Sequence, residues 1–150
     1  MSMDSSYIRE QIAYDIIKSV GLISTEYSFA RVFMNDQELG LFGLIEHFKN
    51  PWLANVFANG SSSYDNGYLY QGVFQGSSNQ SLTSDLSYYE NVTLYADGEY
   101  KMRQKATGGS KTNFEPLQTF TKFIDEAPTN TSDAVSTWKA ELNTASYLRS

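Results

Sequence analysis

The sequence predicts an α+β chain, and three observations lead there. Ile8, Ile12, Ile16, Ile17 and Val20 keep the i, i+4, i+8 spacing of an amphipathic helix. Glu26 to Met34 and Leu39 to Glu46 are apolar or β-branched runs flanking Asn35-Asp36, which is turn chemistry. Helical spacing then returns in Pro116 to Glu126, where Leu117, Phe120 and Ile124 share one face.

The first helix is expected over residues 6–20, with Asp4, Ser5 and Ser6 as N-cap choices and Gly21 as its C-terminal left-handed residue. A hairpin over residues 26–46 follows. Its return strand is nearly all apolar and is therefore expected to be covered on both faces. Gly40 and Gly43 within it predict close approach by another backbone or a ligand. Asn50-Pro51 reads as N-cap and first residue of a short helix that ends near Ala58, with Trp52, Leu53, Val56 and Phe57 as its apolar stripe.

A Ser/Gly/Asn loop from Asn59 to Gly67 leads into a short strand near Tyr68 to Phe74, and Gly76 to Ser84 reads as a second polar loop. Val92 to Tyr95 and Glu99 to Met102 flank Asp97-Gly98, which predicts a second hairpin. Pro128 stops the helix of residues 116–126, Trp138 and Leu142 mark another, and a last one starts after Asn143 and is cut short at Ser150. Ending inside a helical pattern points to an incomplete chain.

Composition removes many function classes. The 150 residues carry 11 basic and 17 acidic side chains, a net charge of −6. That balance, with no run of Lys or Arg along the sequence, argues against a nucleic-acid partner. Apolar residues reach 41% and charged residues 19%, values of a globular chain rather than a disordered one. The longest apolar stretch, Leu39 to Ile45, falls far short of the ~20 residues of a membrane span, and the polar start Met1-Ser2-Met3-Asp4 is no signal peptide. With no cysteine and a single histidine, His47, thiolate chemistry and multi-histidine metal sites are excluded.

Four Asn-x-Ser/Thr sequons, at Asn59, Asn79, Asn91 and Asn130, exceed the roughly two expected by chance and lean toward a secretory-pathway protein with surface glycans. Aromatic residues make up 15%, and at strand and helix spacing they read as core before they read as sugar-stacking platforms.

Few residues offer chemistry. Gly108-Gly109-Ser110-Lys111-Thr112 fails the spacing of a phosphate-binding P-loop and reads as a solvated loop. The carboxylate pairs Asp97/Glu99 and Asp125/Glu126 are explained by a turn and a helix end. His47 has no legible serine-and-acid partners. Glu46 stands out, because an acid ending an apolar strand either pairs with something or emerges into a cleft.

The run Ser6-Tyr-Ile-Arg-Glu-Gln-Ile-Ala-Tyr-Asp-Ile-Ile-Lys-Ser-Val-Gly21, the strand Phe29-Ala-Arg-Val-Phe-Met-Asn35 and the strand Leu39-Gly-Leu-Phe-Gly-Leu-Ile-Glu46 together resemble the CotH kinase-like family. Gly67-Tyr-Leu-Tyr-Gln71 and Leu117-x-x-Phe120 fit the same order. The likeness is strong over residues 6–57, fair over 67–74 and loose beyond.

The resemblance implies a partial atypical protein-kinase-like fold. The first helix would stand for the αC helix, the hairpin for strands β4 and β5, and residues 46–50 for the hinge. It implies transfer of the ATP γ-phosphate, with Mg²⁺, to Ser/Thr of spore coat or secreted proteins. For fungal relatives it implies instead a cell-surface invasin that binds a host or wall receptor. Under it, Glu10 would orient a phosphate-binding lysine, Arg9 would be the fallback phosphate partner, and Leu44, Ile45, Glu46, His47 and Phe48 would line the adenine pocket through main-chain groups.

Some positions depart from the family pattern. Asp36 replaces the commoner Gly of the turn, which a type I turn tolerates, and Gln71 stands where many bacterial relatives place Lys. The phosphate-binding lysine is expected before residue 1, and the catalytic and metal-binding aspartates after residue 150. No catalytic or metal-binding residue is therefore assigned within the chain, which by itself is expected to be inactive as a kinase.

Overall fold

A computed structural model describes residues 8–73, 83–97 and 100–147. The chain divides into two compact units, Met1–Phe48 with Leu142–Ser150, and Lys49–Glu141. Both mix helices with a two-stranded antiparallel sheet or hairpin, so the α+β reading holds.

In the first unit, α1 (Arg9–Ser19) is followed by β1 (Tyr27–Met34) and β2 (Gln37–Ile45). The expected caps at residues 4–6 lie outside the described residues, and Ile8 occupies the N-cap position without a side-chain hydrogen bond. Gly21 does end the helix as expected. Its φ is +76°, its N–H reaches Lys18 O at 2.8 Å, and Leu22 N–H reaches Ile17 O at 3.1 Å, the paired bonds of a Schellman motif.

The hairpin runs in register from Tyr27 opposite Ile45 to Met34 opposite Gln37. A two-residue turn closes it. Asn35 and Asp36 both have positive φ, 49° and 62°, which a type I′ turn requires and the expected type I turn does not. Val32 faces Gly40 but Phe33 faces Glu38, so Leu39 is an extra residue in β2 and Gly40, at φ +132°, absorbs the bulge. Gly43 does mark a close approach, though neither a backbone nor a ligand makes it: the phenol ring of Tyr27 fills the place of a Cβ.

Burial departs from expectation here. β2 was expected to be doubly covered, yet Leu41, Phe42 and Leu44 are all half exposed or more. The Ile8–Ile12–Ile16 stripe of α1 is exposed too, while Tyr14 and Ile17 are partly covered and Tyr14 stacks on Tyr27 at 6.0 Å. A two-stranded ribbon and one helix supply too little surface to cover every apolar side chain they carry.

The second unit contains α2 (Trp52–Ala58), β3 (Leu69–Gly72), α3 (Thr93–Asp97), β4 (Tyr100–Gln104), α4 (Glu115–Glu126) and α5 (Ala134–Glu141); the short α6 (Thr144–Tyr147) belongs to the first. Its core is aromatic, as composition implied. Tyr95, Tyr100, Phe114 and Leu117 are buried, and Tyr70, Tyr89, Val92 and Met102 pack against them. Buried phenols need partners, and each finds one. Tyr95 Oη bonds the Thr121 hydroxyl, Leu86 N–H donates to Tyr100 Oη at 2.8 Å, and Tyr70 Oη donates to Asn113 O at 2.9 Å.

The expected Asp97-Gly98 hairpin does not form. Asn91 Oδ1 accepts from Thr93 N–H at 3.1 Å and caps a helix start, so 93–97 coils and drops Tyr95 into the core. β4 pairs instead with β3, Leu69 opposite Gln104 and Gly72 opposite Tyr100. Asn50 likewise caps nothing. Pro51 takes the N-cap position of α2, and the Asn50 amide donates to Asn66 Oδ1 at 3.1 Å.

Candidate functional site

The residues expected around a nucleotide all fall in the first unit. Arg9 and Glu10 lie exposed in the first turn of α1. Leu44 and Ile45 end β2 and are exposed, Glu46 is half-buried with its N–H on Glu26 O at 3.2 Å, and His47 and Phe48 are exposed. Among the described residues, Glu10 makes no hydrogen bond or ion pair to residues 44–48, and no three His, Asp or Glu side chains gather as a metal site. Lys18, in the last turn of α1, pairs with Glu26 and ties the helix to the hairpin.

Of the sequons, Asn59 is exposed in left-handed conformation (φ 49°) at the end of α2, Asn91 caps α3, Asn130 is exposed before α5, and Asn79 lies outside the described residues.

A different cluster appears in the second unit. Lys49, Arg103, Lys105 and Lys111, with Met102 and Gln104, line a cleft of about 340 Å³. Four of the chain's 11 basic residues therefore meet in one place on an acidic protein. The absence of a basic run holds along the sequence but not in space. Lys101 and Arg103 lie on the solvent side of β4, with the exposed Lys105 just beyond its end, while Tyr100 and Met102 face the core, which is the two-residue period of a strand. Lys49 arrives from the segment before α2, and Lys111 from the loop before α4. That loop is no P-loop, because α4 starts only at Glu115.

A buried asparagine clasps these walls together. Asn66 Nδ2 donates to Lys105 O at 2.7 Å and to Gly67 O at 2.9 Å, and its Oδ1 accepts from Asn50 Nδ2 at 3.1 Å and Thr107 Oγ1 at 3.3 Å. Its backbone bonds Thr107 as well, N–H to Oγ1 at 3.1 Å and O from Thr107 N–H at 3.0 Å. Asn66 is only 6% exposed, so its ends of these bonds lie away from water while Asn50, Lys105 and Thr107 reach the surface. Asn50, the neighbour of Lys49, is thus tied to Lys105 at the end of β4. Sequence reading placed Asn66 in a polar loop and missed it; the alternation Lys101-x-Arg103-x-Lys105 was the legible signal for the rest.

An α+β chain with a hairpin, an aromatic core and a basic cleft defines a class but not a chemistry. The family model described as CotH kinase protein matches residues 1–149, and the chain belongs to that family. It is 28% identical over 103 residues to "Invasin CotH7" of Rhizopus delemar, a match covering 68% of this chain and 17% of that protein. No solved structure matches the chain.

Proposed function

We propose that this chain is the central part of a CotH-family phosphotransferase, one that moves the γ-phosphate of ATP to a Ser or Thr hydroxyl of a secreted or coat protein. The family match over residues 1–149 supports this reading. In the reaction the substrate hydroxyl oxygen bonds to the γ-phosphorus, the bond to the β–γ bridging oxygen breaks, and the hydroxyl proton leaves to a base. This chain's contribution would be positional: main-chain groups of residues 44–48 hold the base of ATP, and Glu10 or Arg9 serves the phosphates through a lysine or directly. The described residues gather no carboxylate cluster, so Mg²⁺ is assigned to none of them and no step is routed through it.

A second reading, a cell-surface protein that binds a host or wall receptor, draws on the similarity to an invasin. Exposed sequons at Asn59 and Asn130 suit a surface protein. Among the described residues no helix is long and apolar enough to cross a membrane.

One experiment separates the two. The full-length gene product is incubated with labelled ATP and Mg²⁺, with the 150-residue chain in parallel. Phosphate incorporated by the full-length protein, and not by the 150-residue chain, supports the phosphotransferase. A folded full-length protein that binds no nucleotide refutes it in favour of the surface-binding role.

A further inference from the structure

We infer that the cleft between β4, Lys49 and Lys111 is a binding site for a short chain of phosphate groups, recognised through its charge and not through an attached base. This inference stands apart from the proposed function, which rests on the other unit.

Charge is the first argument. The cleft concentrates four cations in a chain of net charge −6. Among the described residues no ion pair joins a carboxylate to Lys49, Arg103, Lys105 or Lys111. Two of the four are oriented by neutral acceptors: Arg103 Nε donates to Gln71 Oε1, and Lys105 Nζ donates to Gly109 O at 3.0 Å. Each keeps most of its donors for another partner. Like charges lining one cleft repel, and an anion between them relieves that repulsion.

Size and lining decide the class of anion. A cleft of about 340 Å³ is at the small end of ligand sites and has room for two or three linked phosphates. Among the lining residues Met102 is the sole apolar side chain, and none is aromatic, so a base would have nothing to stack on. Four cations drawn from three segments also exceed what a single carboxylate or sulfate would use.

The walls are built rather than incidental. Asn66 fixes the carbonyl of Lys105 and the side chain of Asn50, the neighbour of Lys49. Gly109, whose carbonyl orients Lys105, is itself packed under the Tyr68 phenol. Such support limits the ordering cost that four flexible side chains would otherwise impose on binding.

The test uses the 150-residue chain and tripolyphosphate, with affinity read by calorimetry. Lys49→Gln and Lys111→Gln remove exposed charges without touching a buried bond, and each is expected to weaken binding about fivefold, the effect of one cation near an anion in a wet site. Lys101→Gln and Lys139→Gln, outside the cleft, are expected to change it less than about twofold. ATP, GTP and tripolyphosphate are expected to bind within about threefold of one another, which separates free polyphosphate from nucleotide as equally accepted sources. Asn66→Ala keeps all four charges and is expected to weaken binding while the folded chain's amide spectrum remains dispersed.

Equal losses from cleft and control variants would refute the site, as would absence of binding at millimolar tripolyphosphate. So would ATP binding more than about tenfold tighter than tripolyphosphate, or tighter binding of an oligonucleotide or polyglutamate at equal charge.

Discussion

Replacing Asn66 with alanine removes the clasp of the second unit, and its cost can be worked from the bonds lost. Four side-chain hydrogen bonds go: donations to Lys105 O and Gly67 O, and acceptances from Asn50 Nδ2 and Thr107 Oγ1. A net contribution of about 0.5–1.5 kcal/mol each sets an upper range. The Gly67 bond is local and survives partly in the unfolded chain, and Thr107 and Asn50 can turn to water. The Lys105 carbonyl loses its 2.7 Å side-chain donor, while the backbone bonds between residue 66 and Thr107 survive the substitution and limit the loss. Asn66→Ala should therefore cost about 2–4 kcal/mol, read as a lower urea midpoint at unchanged m-value. Thr107→Val tests the same network. If the two residues share a hydrogen bond, the double variant loses about 1 kcal/mol less than the sum of the singles. A loss below about 1 kcal/mol for Asn66→Ala, or strict additivity with Thr107→Val, refutes the clasp.

Three further outcomes follow from other parts of the fold. Gly43→Ala forces a methyl group into the Tyr27 ring and so disturbs its stack on Tyr14; it should cost about 1–3 kcal/mol, and the penalty should vanish in a Tyr27→Leu background, both read by urea unfolding. Asp36→Gly relieves a left-handed aspartate in the type I′ turn and should raise stability by about 0.5–1 kcal/mol, measured in the same way. Burial pushes the Tyr70 phenol up to about 12 from an ordinary 10, so the folded state holds that proton more tightly than the unfolded one. Its stabilising effect is complete below pH ~10 and is lost as pH rises toward ~12. Tyr70→Phe should move the onset of alkaline unfolding upward, and tyrosinate absorbance should show one fewer late-titrating phenol.

Local chemistry was the legible part of this fold. Gly21 closes α1 because only glycine enters the left-handed region without cost, and the structure places both Schellman bonds there. Asn35-Asp36 announced a two-residue turn, and the register follows from it. Pairing across long stretches of chain was not legible. Residues 92–95 and 99–102 carry the signature of a hairpin about Asp97-Gly98, yet Asn91 offers its side chain to Thr93 N–H and starts a helix instead. One capping oxygen decides between two structures of similar local propensity, and the outcome is sealed by burying Tyr95. β4 then finds β3, about thirty residues upstream, a choice that no short window contains.

Periodicity reports which side chains favour burial, and it is silent on whether the described chain supplies the cover. The α1 stripe and the apolar β2 were read correctly as apolar faces, and both remain largely exposed. The same distinction applies to charge. Lys49, Lys105 and Lys111 are scattered along a sequence whose overall balance is acidic, and a net charge of −6 argues against an anionic partner only if the cations stay dispersed. A strand with a two-residue period, a buried asparagine and a glycine loop bring four of them together. Electrostatic steering depends on that local field and not on the sum over the surface, because screening limits each charge to neighbours within about 10 Å. The family resemblance is strongest in residues 6–57, whereas the basic cleft is built almost wholly from residues beyond 100. Lys49, in the segment read as the hinge, is the one cleft residue that falls in that region, and the two arguments for phosphate chemistry otherwise rest on different residues.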